Sequence, residues 1–307
     1  MFMVVSLVSG LGYDFPPFRP PSEAESILLR ATRGCPWNKC AFCVMYKGMR
    51  FSRRPLEDIK RDIVAARGIF GLRPTMFIGD SNSLVMKTEE LLDVLRFARE
   101  VFPGLRRITS YARAKTILRK PLEDLVALRE AGLTRLHVGL ETGDDHLLKY
   151  MCKGITASEM AEAGRKAMEA GFELTEYVIL GLGGKDRWER HASETANVLN
   201  KINPTFIRVR TLVPIPGTPL HERVVSGEFK VSSPLEVLKE TRLLIERLKV
   251  SSWFLSDHVS NYLPVNGKLP DEKEDLLNFL GIHIDILESD PELGRTLLQP
   301  EHLRQRL

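Results

Sequence analysis

A chain of 307 residues with 43% apolar and 27% charged residues has the composition of a folded globular protein, with room for one large domain. Its net charge of +4 suits a small anionic ligand but falls short of the basic surface typical of nucleic-acid-binding proteins. Because no apolar run reaches the roughly 18 residues of a membrane span, and the N-terminal segment lacks the basic leader and cleavage site of a signal peptide, we expect a cytoplasmic protein.

Short apolar segments with strand composition alternate with segments of helical periodicity over residues 26–250. Six strands are predicted, in SILLRAT, PTMFIGD, RRITSYA, RLHVGLE, ELTEYVILG and TFIRVRTLVP. The helices that follow them are predicted in PLEDIKRDIVAARGIF, TEELLDVLRFAREVF, PLEDLVALREAG, residues 144–170, RWERHASETANVLNKI and PLEVLKETRLLIERL. Thr88 is the expected N-cap of the second helix, and Gly132 closes the third.

Six strand–helix units in succession predict a parallel sheet, because parallel neighbours need a crossover and a helix is the usual one. Right-handed crossovers curl such a sheet into a partial barrel or leave it as an open doubly wound sheet. We therefore predict an α/β fold with a partial (β/α)6 TIM-like barrel at residues 26–250. Residues 1–25 are predicted to be a short N-terminal extension. Residues 251–307 are predicted to be a loop-rich C-terminal cap with one or two helices, packed on the barrel.

Unusual loops follow all six predicted strands. In chain order they contain RGCPWNKCAFC, GDSN, SYAR, ETGDD, GLGG and PIPGTP. The carboxyl ends of parallel barrel strands meet at one face, where chemistry collects. The sequence therefore predicts one large site at that face.

Three of the four cysteines, Cys35, Cys40 and Cys43, lie in the loop after the first strand, in the pattern C-x4-C-x2-C. A structural zinc site uses four closed ligands, and Cys152 is distant in the chain, so such a site would need His137 as its fourth ligand. Ordinary iron–sulfur proteins also use four thiolates per cluster. Three thiolates on a cubane cluster leave one iron open for another ligand, which is the second interpretation.

The cysteine loop, with Phe42 directly before Cys43, resembles the cluster loop of the radical S-adenosylmethionine superfamily. The partial (β/α)6 barrel of that family also matches the predicted order of elements, and the resemblance covers residues 26–248. The segment GLETGDDHLLKYMCKG resembles the subgroup of anaerobic coproporphyrinogen oxidases and methylthiotransferases. The family usually has three residues between its first two cysteines, whereas PWNK supplies four here. The resemblance implies that the three cysteines bind a [4Fe–4S] cluster whose fourth iron binds S-adenosylmethionine.

By the same resemblance, eight residues are assigned to S-adenosylmethionine. They are Gly79, Asp80, Ser81, Ser110, Glu141, Lys153, Ile179 and Gly181. The turn at Gly79 corresponds to the one that binds the amino group, Glu141 contacts the ribose, and Lys153 approaches the carboxylate. The backbone from Ile179 to Gly181 pairs with adenine. Without the resemblance, Glu141 would as readily cap the next helix, and Lys153 would lie in solvent.

Arg208 and Arg210 share one face of the sixth predicted strand, because side chains two residues apart in a strand point the same way. Two buried guanidinium groups need anionic partners. They either hold a carboxylate or phosphate of the substrate or pair with carboxylates of neighbouring strands, and both interpretations stay open. Together with His137, they are the residues that we assign to an anionic substrate.

The resemblance predicts an enzyme that cleaves S-adenosylmethionine reductively to a 5′-deoxyadenosyl radical, which takes hydrogen from a small or medium substrate. Its expected partners are that substrate and a one-electron donor such as flavodoxin or ferredoxin, with no membrane or nucleic acid. Because only Cys152 remains, we do not expect a second cubane cluster. Two functions without radical chemistry are the alternatives: a tetrapyrrole carrier, and an iron–sulfur sensor or electron carrier.

Overall fold

The structure of the protein is a computed structural model that describes residues 11, 13 and 18–298. It has the predicted α/β fold, with a mostly parallel central sheet of eight strands and a separate two-stranded ribbon. The strands are β1 (Ile27–Arg30), β2 (Thr32–Arg33), β3 (Ser52–Arg53), β4 (Thr75–Gly79), β5 (Arg107–Ala112), β6 (Leu133–Glu141), β7 (Glu173–Leu180), β8 (Phe206–Thr211), β9 (Trp253–Leu255) and β10 (Gly267–Lys268). All six predicted strands are present.

The predicted helices of residues 26–250 are also present, and the helical segment at 144–170 consists of two helices. The α-helices of the described residues are α1 (Leu56–Phe70), α2 (Thr88–Val101), α3 (Ala114–Arg119), α4 (Leu122–Glu130), α5 (Asp145–Tyr150), α6 (Ala157–Glu169), α7 (Gly184–Ile202), α8 (Pro219–Val225), α9 (Pro234–Arg247), α10 (Lys273–Ser289) and α11 (Pro291–Thr296). None of these helices is long and apolar enough to cross a lipid bilayer.

The chain divides into two compact units. The first contains residues up to 38, residues 45–138 and residues 169–173, and the second contains residues 39–44, residues 139–168 and the chain from residue 174 onward. The predicted boundaries after residues 25 and 250 concern a different division of the chain and stay predictions.

In the first unit, β1, β4, β5 and β6 are neighbours in that order and run parallel. The apolar run Met76–Ile78 of β4 is fully buried, as expected for a parallel strand covered on both faces. Helices α1 and α2 pack on each other, and α2 also packs on α4. Strands β2 and β3 pair antiparallel beside the cysteine loop.

The prediction that Thr88 caps α2 is wrong, because the helix begins at Thr88 and Lys87 occupies the N-cap position. The Thr88 hydroxyl is used elsewhere: it donates to Asp124 Oδ2 at 2.6 Å and accepts from Lys120 Nζ at 2.8 Å. It thereby connects α2 to α4 and the turn before it.

In the second unit, β7 and β8 run parallel, β8 and β9 run parallel, and β9 pairs antiparallel with β10. Helix α9 packs on both α7 and α10. The segment that begins at residue 251 contains the expected helices, α10 and α11. It also contributes two short strands to the sheet, β9 and β10, which the sequence pattern did not predict.

Candidate functional site

Cys35 lies in a fixed turn of the first unit. Its thiol is free and half-buried, and the backbone N–H of Asn38 donates to its sulfur at 3.4 Å. Asn38 has a left-handed backbone, with φ of +51°, and its side-chain amide donates to the carbonyl of Tyr46 at 2.6 Å. The turn therefore directs one N–H group at the sulfur, a contact that stabilises thiolates and tunes metal centres.

Asp80 and Ser81, at the end of β4, hold the residue before Cys35. Asp80 is fully buried, and its Oδ2 accepts from the backbone N–H of Gly34 at 2.8 Å, while its Oδ1 pairs with Arg30 Nε at 3.2 Å. Ser81 Oγ donates to the carbonyl of Gly34 at 2.8 Å. Both polar groups of the Gly34 backbone are thus bound by the turn that follows Gly79, and these residues position the cysteine loop.

Ser110 and His137 are deeply buried in the first unit. Ser110 Oγ donates to a carbonyl of β4 at 2.9 Å. His137 Nε2 lies 3.4 Å from Glu23 Oε1, and both side chains are inaccessible to solvent. Burial alone would raise the pKa of Glu23, but hydrogen bonds from His137 and Ser26, with the charge of Arg107, hold that pKa below its usual value. The structure therefore places His137 in a buried polar network with Glu23.

Cys40 and Cys43 lie on one turn in the second unit, in which the Cys43 N–H donates to the Cys40 carbonyl at 3.4 Å. The turn is attached on both sides through Ala41, whose N–H donates to the Met151 carbonyl at 2.9 Å and whose carbonyl accepts from the Leu220 N–H at 3.0 Å. Ala41 is buried, and both cysteines are half-buried and form no disulfide. The fold therefore fixes the backbone that carries these two thiols.

Glu141 and Lys153 form a pair beside this turn. Lys153 Nζ lies 2.9 Å from Glu141 Oε1 and 5.9 Å from the centre of the Phe42 ring, directly before Cys43. Glu141 has a left-handed backbone, with φ of +63°, and its side chain folds back over Gly139, where an added Cβ would lie 2.2 Å from Oε1. The other carboxylate oxygen, Oε2, is buried without a hydrogen-bond partner. The pair therefore offers one buried acceptor to a ligand.

Glu176, on β7, is a buried acid that the sequence analysis missed. It is 1% exposed, and its Oε2 has no hydrogen-bond partner. Burial raises the pKa of Glu176 well above its usual value, a rise that the charge of Lys153 opposes and that of Glu141 reinforces. The sequence feature that could have indicated Glu176 is the position of its carboxyl group inside the largely apolar strand segment ELTEYVILG.

Ile179 and Gly181 lie at the end of β7. Ile179 packs in a buried apolar cluster that includes Ala41 of the cysteine turn. The backbone of Gly181 is left-handed, with φ of +78°, and its N–H donates to Glu240 Oε2 at 2.9 Å. Glu240 is fully buried on α9, and its Oε1 lies 2.5 Å from His191 Nδ1. Sequence reasoning missed Glu240, which was visible only as an acid on the apolar face of that helix.

Arg208 and Arg210 have different surroundings, although both share a face of β8. Arg208 is buried, and its Nη1 pairs with Asp257 Oδ2 at 2.5 Å. Arg210 is half-buried, and its Nε is buried without a hydrogen-bond partner. The centre of its guanidinium group lies 5.9 Å from the centre of the Tyr177 ring.

His258, in the loop after β9, is linked through Ser260 to Thr211, the residue that follows Arg210. Burial, followed by the positive charge of Arg210, lowers the pKa of His258 to about 4, although Asp257 opposes the change. Its Nδ1 accepts from the backbone N–H of Ser260 at 3.1 Å and lies 2.8 Å from the Ser260 hydroxyl. That hydroxyl accepts from the Thr211 N–H at 3.1 Å, so it can donate to Nδ1. This network assigns the proton of the neutral imidazole to Nε2.

Within the part of the chain that the structure describes, no group of three or more His, Cys, Asp or Glu side chains is arranged to hold a single metal ion. A cubane cluster makes a different demand, because it contains its own sulfide ions and spreads its thiolate ligands over separate irons. Half-buried cysteines that form no disulfide and lie on fixed backbone are the type of ligand that such a cluster uses.

Comparison with known proteins shows one family. The model described as the Radical SAM superfamily matches residues 29–195. Biotin synthase from Geobacter sulfurreducens is 28% identical over 283 aligned residues, which cover 84% of this chain and 82% of that protein. The tRNA-2-methylthio-N(6)-dimethylallyladenosine synthase of Neisseria meningitidis serogroup C is 29% identical over 220 aligned residues, which cover 65% of this chain and 47% of that protein.

Among solved structures, coproporphyrinogen III oxidase from Escherichia coli superimposes with a TM-score of 0.56. The two sequences are 17% identical, and the match covers 80% of this chain and 56% of that chain. At this identity the likeness concerns the fold, which the two proteins share. The chain thus spans most of the biotin synthase but only about half of the other two proteins.

Proposed function

The chain belongs to the radical S-adenosylmethionine superfamily, and from this premise we propose that Cys35, Cys40 and Cys43 bind one [4Fe–4S] cluster used to cleave S-adenosylmethionine. Members of the family are enzymes that bind both cofactors. The observation that carries the proposal is the set of three half-buried cysteines in C-x4-C-x2-C, none of them in a disulfide, inside the segment that the family model matches. The fourth cysteine, Cys152, is exposed and lies outside this loop.

The residues around these thiols fit the cluster. The N–H of Asn38 points at the sulfur of Cys35, a contact of the kind that tunes metal centres. The backbone of Cys40 and Cys43 is fixed through Ala41, so these ligands are positioned before metal arrives. The extra residue of PWNK is accommodated before this fixed turn.

The residues assigned to S-adenosylmethionine fit a ligand with hydroxyl and ammonium groups. The unpartnered Oε2 of Glu141 would accept from a ribose hydroxyl, and Lys153 holds the other oxygen of that carboxylate in place. Asp80 would contribute to the ammonium site from the buried end of β4, and the backbone from Ile179 to Gly181 would bind adenine. In the same proposal, Gly79, Ser81 and Ser110 shape the turn and strand ends around the methionine part.

When both cofactors are bound, Cys35, Cys40 and Cys43 would hold the cluster, which would supply the one electron needed to split S-adenosylmethionine at S–C5′ into methionine and a 5′-deoxyadenosyl radical for hydrogen abstraction. The chain itself orients S-adenosylmethionine and excludes water. The buried cluster of Ala41, Met151, Ile179, Leu182, Leu212, Leu220 and Phe229 would supply the dry surroundings beside the cysteine turn. The electron would come from a donor such as flavodoxin or ferredoxin, in a reducing compartment such as the cytoplasm, where free thiols persist.

By their names, the two curated relatives make different products, one of them biotin and the other a methylthio-modified nucleoside of tRNA. The substrate of this protein, which we propose to be small or medium in size, has to be inferred from the chain's own residues.

Anaerobic reconstitution tests the proposal. Wild-type protein should hold about four iron atoms per chain and, with dithionite, convert S-adenosylmethionine to 5′-deoxyadenosine. Replacement of Cys35, Cys40 or Cys43 by Ala should remove the cluster and lower 5′-deoxyadenosine formation more than ~100-fold, since loss of an outer-shell partner alone costs roughly 10- to 100-fold. The matched control is Cys152→Ala, which should keep both iron and activity.

Three results would contradict the proposal. If the reconstituted wild type contains zinc or no metal, the three cysteines do not bind an iron–sulfur cluster. Binding of S-adenosylmethionine without cleavage would favour a carrier, and a cluster spectrum unchanged by S-adenosylmethionine would favour an electron carrier or sensor.

A further inference from the structure

Arg210 carries a charge that no carboxylate compensates in the described residues. In the parallel register of β7 and β8, Arg208 pairs with Tyr177 and Arg210 with Ile179, so these four side chains share a face. Arg208 already has a partner, Asp257, in an ion pair of 2.5 Å. No hydrogen bond or ion pair of the Arg210 guanidinium is found within residues 18–298.

The buried acid on the neighbouring strand β7 does not fill this role. Glu176 pairs with Ile207 in the register and therefore lies on the opposite face of the sheet from Arg210. The ring of Tyr177, at 5.9 Å from the guanidinium, is at the outer limit of a cation–π contact and supplies no acceptor for the N–H groups. The buried Nε of Arg210 thus remains without an acceptor, an arrangement that is costly unless a ligand supplies one.

His258 offers a second N–H donor, which is uncharged. Its Nδ1 is occupied by the backbone N–H and hydroxyl of Ser260, so the neutral ring presents Nε2–H. Asp257, the neighbouring carboxylate, is engaged by Arg208. The two groups together offer N–H donors, one of them charged, and no acceptor.

We propose that Arg210 and the Nε2–H of His258 bind an anionic group of the substrate, a carboxylate or a phosphate. A planar guanidinium fork suits either group through paired N–H donors, and a neutral imidazole N–H adds one hydrogen bond. The inference rests on the proposed function for the identity of this ligand as the substrate, and it narrows the substrate class. It also separates Arg210 from Arg208 and His137, which the sequence had grouped together and which pair with Asp257 and Glu23.

Binding of simple probes to the reconstituted holoprotein tests the site. Glutarate is the carboxylate probe, inorganic phosphate is the phosphate probe, and glutaramide is the neutral analogue, all at one ionic strength. Saturation-transfer NMR follows glutarate and glutaramide, and 31P line broadening follows phosphate. At least one anion should bind the wild type, and Arg210→Gln should weaken it about 10- to 100-fold, the range for a charge-assisted hydrogen bond.

The controls separate charge from fold. Arg247→Gln, at an exposed arginine of α9, should leave the affinity unchanged. Arg210→Lys keeps the positive charge but loses the planar pair of N–H donors, so its affinity for the anion should fall between those of the wild type and Arg210→Gln. This variant replaces Arg210→Gln in the test if Arg210→Gln does not fold. His258→Gln, which keeps a donor, should bind more tightly than His258→Leu.

Binding of glutarate alone would assign a carboxylate substrate, and binding of phosphate alone a phosphorylated one. The inference is overturned if neither anion binds, if glutaramide binds as tightly as glutarate, or if Arg210→Gln binds as the wild type does. Formation of 5′-deoxyadenosine by the wild type is measured in the same preparation. If S-adenosylmethionine is cleaved but anion binding does not depend on Arg210, this inference alone is overturned. If an anion binds but S-adenosylmethionine is not cleaved, the proposed function is overturned.

Discussion

Arg208 and Arg210 show what a local pattern predicts about a residue and what it leaves open. Alternation along the strand predicted correctly that both lie on one face of β8. Their partners could not be predicted, because Asp257 is 49 residues away in the chain and belongs to a loop without a pattern of its own. The same holds for Glu240, which reaches Gly181 across 59 residues. The residue types and their order in the sequence were enough to predict the motif residues. Their contacts could be identified only from the folded structure.

Glu176 is expected to make stability depend on pH. Its pKa is raised in the folded chain by burial, so the folded protein retains a proton that the unfolded chain loses above the usual pKa of a glutamate. The free energy of unfolding therefore falls as pH rises above that usual value, until the folded pKa is passed. Glu176→Gln removes this dependence, so the stability of the variant relative to the wild type should rise with pH over the range that begins at the usual pKa of a glutamate.

Urea denaturation at several pH values within that window measures the difference. The control is Glu162→Gln, at an exposed glutamate of α6, whose difference from the wild type should stay constant. A Glu176→Gln difference that is equally constant with pH would show that the buried group does not retain its proton.

At the scale of elements, periodicity predicted the strands and helices that are long enough to show it. The six strands of four to nine residues were found, as were α1, α2, α4, α7 and α9. The strands that were missed, β2, β3, β9 and β10, have only two or three residues each, which is too short for an alternation. They form because a neighbouring strand supplies their hydrogen bonds, and the sequence of the short segment itself does not show which strand will lie beside it.

Helix α9 begins with a complete capping box, and loss of that box should weaken the unit that carries it. Ser233 Oγ accepts from the N–H of Glu236 at 3.3 Å, and the N–H of Ser233 donates to Glu236 Oε2 at 2.6 Å. Ser233→Ala should lower the free energy of unfolding by about 1 kcal/mol, within the usual range of about 0.5–2 kcal/mol for such caps.

Chemical denaturation measures this loss. Ser193→Ala is the matched control, because the Ser193 hydroxyl lies inside α7 and bonds only to the Glu189 carbonyl one turn earlier. Its effect should stay within about 0.5 kcal/mol. Equal effects of the two substitutions would mean that the box contributes nothing beyond an ordinary serine contact.

For the whole molecule, removal of the metal should lower thermal stability. On the proposed function, thiolates positioned by the fold would bind the cluster in the native state and not in the unfolded chain, so binding would add to the free energy of unfolding. A ligand at 100 times its dissociation constant adds about 2.7 kcal/mol, which corresponds to several degrees in a chain of this size. Chelated protein should therefore melt several degrees below the reconstituted protein when the circular dichroism of the helices is followed.

Cys40→Ala provides the comparison, because reconstitution should not change its melting temperature. If chelation leaves the melting temperature of the wild type unaltered, the cysteine loop does not hold a cluster that the fold has prepared.

The order of the motifs along the chain was enough to predict the fold class of the whole molecule, since each loop followed a strand of a repeated unit. It was not enough to show which of those motif residues are already used by the protein. His137 is engaged with Glu23, and Asp80 and Ser81 are engaged with the cysteine loop, because the folded chain satisfies its buried polar groups internally wherever it can.

The two bonds that Asp80 and Ser81 make to Gly34 couple two tasks that are usually treated separately. On the proposed function, the same short turn would contact the methionine part of S-adenosylmethionine and would also position the side chain of Cys35. A substitution there would therefore affect recognition of the methionine part and retention of iron together, so natural variation at these positions should be found in combination with changes around Gly34.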